Sequence, residues 1–213
     1  DMRNAVEYAH AYGVKVHCAL NTLIKESEID LAIETAICAN ECGVDALIIQ
    51  DTGLAALVRR VSLSMPMHAS TQMSVQSIEG VRMLEKLGFS RAVLPRELSE
   101  KEIKVISAQT DMELEYFVHG ALCMCVSGQC LMSAVLGGRS GNRGLCAQPC
   151  RLPFGVNGRG GNNLSLKDLS LVDEISRLEK AGVCSFKIEG RMKRPEYVAA
   201  AVTACKNSIN GTP

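Results

Sequence analysis

No stretch of the sequence approaches the ~18 consecutive apolar residues that a membrane-spanning helix needs, which argues against a helical membrane protein. Net charge is also missing. The 23 basic residues balance 23 acidic ones, so a nucleic-acid partner must be met by a local basic patch. Low-complexity tracts are absent while 47% of residues are hydrophobic, which excludes a disordered chain. The opening residues Asp1, Met2, Arg3 and Asn4 lack the apolar middle of an export signal, so a cytoplasmic protein is expected. H-E-x-x-H and G-x-S-x-G do not occur, which removes two familiar hydrolase designs. Only four histidines are present: His10, His17, His68 and His119.

Cysteine, by contrast, is abundant, with ten residues. Without an export signal, and in a chain of this length, metal binding or burial explains them better than disulfides. Four fall in one Gly- and Arg-rich stretch. Cys123, Cys130, Cys146 and Cys150 follow the spacing C-x6-C-x15-C-x3-C. Thiolates are soft ligands suited to zinc and iron–sulfur clusters, and four are the usual complement of a cubane cluster. Zinc favours shorter C-x2–4-C gaps, so the x6 gap fits it poorly. Cys125 competes with Cys123 as a ligand. Cys18, Cys38, Cys42, Cys184 and Cys205 sit in apolar patterns and are expected to be small core residues.

The remaining sequence has one recurring pattern: a helical stretch ends in glycine and a short apolar run follows. Gly13, Gly43, Gly88 and Gly182 mark these junctions. Glycine suits the left-handed residue that closes a helix, and the run after it suits a buried strand. Strands are expected at 14–20, 45–49, 67–74, 91–94, 114–120 and 183–188. Helix faces are expected through Ile29, Ile33, Ala36 and Ile37 with Ser27 as cap, and after Ser99 with Glu102 as a capping box. Further faces run through Leu171, Ile175 and Leu178, and through Val198, Val202, Cys205 and Ile209 behind Pro195. The alternation predicts an α/β fold with a parallel sheet of βα units. It suits a (β/α) TIM-like barrel, truncated at the N-terminus because the chain begins inside a helical pattern. Residues 1–213 form one domain, in which 122–163 read as a Cys-, Gly- and Arg-rich insertion near the C-terminal face of the strands.

Polar residues follow the predicted strands: Asn21, Gln50, Asp51, Gln72, Arg96, His119, Glu189 and Arg191. In α/β barrels that face carries the active site. Asp51 and Gln72 read equally well as helix caps or loop ties. His119 is the acid–base candidate, or it orients a cluster ligand. Arg139, Arg143, Arg151, Arg159, Arg191, Lys193 and Arg194 supply local positive charge for RNA. Arg91, Lys101 and Lys104 are expected to solvate helix faces.

The run Glu115-x-Phe117-x-His119-Gly120-Ala121-Leu122-Cys123, then Ser127-Gly128-Gln129-Cys130, resembles the collagenase-like peptidases, peptidase family U32. Gly138-Arg139-Ser140-x-Asn142-Arg143-Gly144-x-Cys146-x-Gln148-Pro149-Cys150-Arg151, Lys187-Ile188-Glu189-Gly190-Arg191 and Leu20-Asn21-Thr22 extend the resemblance over essentially the whole chain. It implies either a protease or a protein that hydroxylates an RNA base or the ubiquinone ring with a cysteine-held iron–sulfur cluster. The segment from His119 to Arg151 resembles the RNA-modifying branches most, and the tRNA branch implies prephenate as co-substrate. The expectation is therefore an RNA-base hydroxylase with a 4Fe-4S cluster on Cys123, Cys130, Cys146 and Cys150. Asn21, Gln72, Arg96, Arg139, Arg143, Arg151, Glu189 and Arg191 would bind tRNA, rRNA or a carboxylate co-substrate. His119 and Glu115 would serve proton transfer or cluster orientation. A collagenase-like peptidase acting on protein is the alternative, and a zinc-stabilised binding module a third.

Overall fold

The computed structural model describes residues 1–61 and 63–211. The chain runs through α1 (Met2–Ala11), β1 (His17–Leu20), α2 (Ile29–Glu41), β2 (Ala46–Ile49), α3 (Thr52–Arg60), β3 (Met67–Ala69), α4 (Ile78–Leu87) and β4 (Arg91–Val93). It continues through α5 (Glu100–Ser107), β5 (Glu113–Gly120), α6 (Met132–Gly137), β6 (Leu169–Ser170), α7 (Ile175–Lys180), β7 (Val183–Glu189) and α8 (Pro195–Asn210). Local chemistry punctuates these elements as anticipated. Gly13, Gly43, Gly88 and Gly182 all have positive φ, between 68° and 101°. Ser99 and Glu102 form the capping box, with the Ser99 N–H donating to Glu102 at 2.7 Å. Pro195 opens α8.

Six strands are parallel, in the order β1-β2-β3-β4-β5-β7. Strand β5 is the longest, and it also takes β6 antiparallel at His119 and Gly120. No ladder joins β1 to β7 among the described residues. One face of the sheet packs against helices through Leu47, Ile49, Leu84, Ile103, Leu114 and Ile175, each essentially inaccessible. The other face is concave, because side chains meet across an intervening strand. His17 on β1 stands edge-on to His68 on β3, with ring centroids 4.8 Å apart. Arg91 on β4 donates to Ser185 on β7 at 3.4 Å. The molecule is thus an open, parallel α/β half-barrel.

Several expectations are corrected. The strand expected at 67–74 stops at Ala69, because the Ser70 hydroxyl accepts the Gln72 N–H at 3.2 Å and starts a single 3-10 turn, Thr71–Met73. The buried stripe of α2 is Ala32, Ala36 and Ala39, with the isoleucines at its flanks. Small residues let this helix lie close on the sheet. Ser27 lies inside a 3-10 turn, Glu26–Glu28, rather than capping α2. In α8 the buried residues are Ala201 and Cys205, while Val202 and Ile209 are exposed. Cys38 and Cys184 are exposed, so the core reading holds fully only for Cys205. Arg91 is a strand residue. Its guanidinium is 18% exposed and paired to Glu113 and Glu115 on the concave side.

Candidate active site

The cysteine-bearing segment lies over the C-terminal ends of the strands, held there by ties to four loops. After β1, the Leu23 N–H donates to the Asn142 carbonyl at 3.4 Å, and Arg143 grips Glu28 with two bonds of 2.8 and 2.5 Å. After β3, Gly128 lies so close that an added Cβ would sit 2.3 Å from the Gln72 carbonyl oxygen. After β4, Glu97 accepts the Ser127 N–H at 2.8 Å. After β5, Arg151 donates to the Leu122 carbonyl at 2.8 Å and to Ser165 at 3.1 Å. Arg143 and Arg151 are therefore occupied by protein partners. The Arg143 bonds hold the Glu28 carboxyl down at about 2. Replacing Arg143 by alanine is expected to raise amide exchange across 139–146 while leaving exchange in β2 and β3 unchanged, measured by hydrogen–deuterium mass spectrometry.

Cys123, Cys130, Cys146 and Cys150 are electrostatic neighbours in this segment. Cys123 keeps an exposed surface, yet partial desolvation by its surroundings pushes the thiol up, Arg96 opposes that, and Cys146, Cys150 and Cys130 add to it. The Gln148 N–H lies 3.3 Å from the Cys146 sulfur. Among the described residues, no three His, Cys, Asp or Glu side chains are drawn together closely enough to hold a metal ion. The donor set itself, four thiols with a backbone N–H already aimed at one sulfur, suits an iron–sulfur cluster.

Beside Cys123 stands Arg96. Its side chain is only 10% exposed and its guanidinium lies 3.5 Å from the Phe117 ring centroid. Its nearest acidic partner, Glu189, is 3.9 Å away, and it donates no side-chain hydrogen bond among the described residues. Burial lowers its pKa, with Cys123 and Glu189 acting the other way. Glu189 also accepts the Arg191 N–H at 3.2 Å. His119 sits at the end of β5 with Nδ1 3.0 Å from the Tyr197 hydroxyl. Tyr197 in turn donates to Asp168, which is paired with Lys193. Asn21 donates to Ser70 at 3.5 Å, and the Gln72 carbonyl accepts from Gln50 at the same distance. Arg139 is exposed and bonds locally to the Leu145 carbonyl at 3.0 Å. Asp51 caps α3 through the Leu54 N–H at 2.9 Å and also accepts from Ile24.

Glu115 lies apart from this group. Four residues before His119 on an extended strand, it is about 13 Å away along the chain. It is buried, and it accepts from Lys187 at 2.6 Å, Ser185 at 2.9 Å and Arg91 at 3.1 Å. Burial alone would push its carboxyl up, but the Lys187 charge and these bonds outweigh it and hold the group below the usual range. His17 and His68 share this concave layer. Burial lowers both, His68 to about 4, so they are neutral rings at pH 7. The ion-pair layer and the Tyr197–Asp168–Lys193 chain escaped sequence reasoning. The alternation of Glu115, Phe117 and His119 along one strand face was the available signal for the first, and nothing local signalled the second.

Comparison with known proteins fits this geometry. The sequence model of Peptidase family U32 matches residues 1–212. The chain is 40% identical over 208 residues to the 23S rRNA 5-hydroxycytidine C2501 synthase of Escherichia coli, covering 93% of this chain and 31% of that protein. It is 32% identical over 223 residues to tRNA hydroxylation protein P1 of Bacillus subtilis, covering 99% and 53%. It is 31% identical over 236 residues to a collagenase of Porphyromonas gingivalis, covering 100% and 56%. The chain thus spans from just under a third to just over half the length of these relatives. No helix among the described residues is long and apolar enough to cross a membrane. By the match of its whole described length, the chain belongs to peptidase family U32.

Proposed function

We propose that this chain forms the substrate-facing part of an RNA-base hydroxylase, with Cys123, Cys130, Cys146 and Cys150 holding a 4Fe-4S cluster. The observation that carries the reading is that Cys123, beside the buried Arg96 above the strand ends, lies within electrostatic reach of Cys130, Cys146 and Cys150. When bound, the cluster would supply electron transfer next to the substrate. The relatives that modify rRNA and tRNA support RNA as the substrate, and a cytoplasmic site of action goes with that reading. Arg96, with donors to spare, suits an oxyanion such as the carboxylate of prephenate. Arg139, Arg191 and Glu189 lie on the same face. Asn21 and Gln72 line it at the β1 and β3 ends. Segment 122–163 is read as an insertion on a truncated (β/α) barrel. A peptidase needs an activated nucleophile, and His119 turns its Nδ1 to Tyr197 rather than to Cys123.

The test joins chemistry to cells. Protein purified without oxygen should contain iron and labile sulfide, and RNA from a deletion strain should lack one base hydroxyl that the wild-type gene restores. Zinc without sulfide, or gelatin cleavage that disappears in His119→Ala, would overturn the proposal.

A further inference from the structure

The hydrogen bonds around Tyr197 have a direction. Asp168 is paired with Lys193, which with its other bonds holds the carboxyl below the usual range, so it is an anion at neutral pH. A carboxylate can only accept, and Tyr197 has one proton to give. The Tyr197 hydroxyl lies 3.2 Å from Asp168 Oδ2 and 3.0 Å from His119 Nδ1. If that proton went to His119, the phenol and carboxylate oxygens would face each other as two acceptors. If it goes to Asp168, the charge-assisted bond forms and the phenol oxygen is left to accept from His119. The 3.0 Å contact is then an ordinary N–H···O bond. Lys193 also lies 4.8 Å over the Tyr197 ring, which keeps the cation beside this chain of bonds, and Arg151 adds positive charge toward Asp168.

We infer that Tyr197 is a positioning residue that holds His119 as the Nδ1–H tautomer, leaving the Nε2 lone pair as a proton acceptor. Nε2 makes no hydrogen bond among the described residues. It serves an N–H or O–H of the substrate at the strand ends. That last role rests on the reading of this face as the substrate face, whereas the tautomer does not. The arrangement needs three separated parts of the chain: the end of β5, the stretch before β6 and the first turn of α8.

The experiment is nitrogen-detected NMR of histidine-labelled protein, as purified and after iron chelation, with His119→Gln assigning the signal among four rings. His119 should show a pyrrole-type Nδ1 and a pyridine-type Nε2. Tyr197→Phe keeps the ring packing, whose centroids are 5.4 Å apart, but removes the acceptor, and should shift the ring toward the Nε2–H form. Asp168→Asn should do the same. A wild-type Nε2–H signal, or a Tyr197→Phe spectrum identical to wild type, overturns the inference even if RNA hydroxylation is confirmed. If hydroxylation fails while the spectra behave as stated, only the substrate reading falls.

Discussion

Protein carrying Cys123→Ser, purified without oxygen, is expected to retain almost no iron or labile sulfide, while Cys125→Ser retains the wild-type amount. Loss of an outer-sphere partner typically costs about 10–100-fold in metal affinity, and loss of a direct thiolate should cost at least that much. Cys123 is the choice because its thiol feels the other three electrostatically and because Arg96 stands against it. Cys125, two residues on, has the same chemistry and a half-buried position, so it controls for general damage to the loop. Colorimetric iron and sulfide analysis with the ultraviolet–visible spectrum reads the result. Equal iron in both variants would end the assignment of Cys123 as a ligand.

The largest stability effect should come from Glu115→Ala. The carboxylate is 6% exposed and sits between Arg91 and Lys187. Removing one partner of a buried ion pair typically costs about 3–5 kcal/mol, because the remaining charge is left buried without compensation. Arg91 keeps Glu113 at 2.6 Å, so Lys187 bears most of the loss. Urea unfolding should show a lower midpoint at unchanged slope, with Glu115→Gln intermediate because the amide can still accept from Ser185. The pH dependence has a definite sign. The folded carboxyl is held below the unfolded value of about 4.3. Its stabilisation is therefore complete above that pH and is lost as pH falls through the folded value. Glu115→Ala should flatten the acid limb of the stability curve. An unchanged midpoint at pH 7 would mean the layer contributes nothing net.

Much of the architecture was legible from residue order. Glycine-closed helices followed by short apolar runs marked four of the six parallel strands, β1, β2, β4 and β7, because both halves of that signal are local, and apolar runs alone marked β3 and β5. What escaped was whatever depends on distance in sequence. Of the helix faces expected in α2 and α8, Ala36 and Cys205 are buried, but alanines rather than the larger aliphatics complete both buried stripes, since close packing favours small residues. Arg143 and Arg151 looked like free cations because Glu28 is far away in the chain and carbonyl acceptors carry no sequence mark. Glu115 and His119 share a strand face, but only the register of β5 on β7 reveals that one meets Lys187 while the other meets Tyr197. The cysteine spacing picked out four thiols of one segment, of which Cys123 feels the other three electrostatically.

The ties that hold the strand-end face are long-range: 115 residues separate Glu28 from Arg143, and 78 separate His119 from Tyr197. Loops that large close late and slowly, since chain entropy opposes them until the sheet has formed. The chemistry is thus assembled after the sheet that carries it. A nascent chain gains most of its strands while still growing, but His119 meets its partner only after α8 has been made.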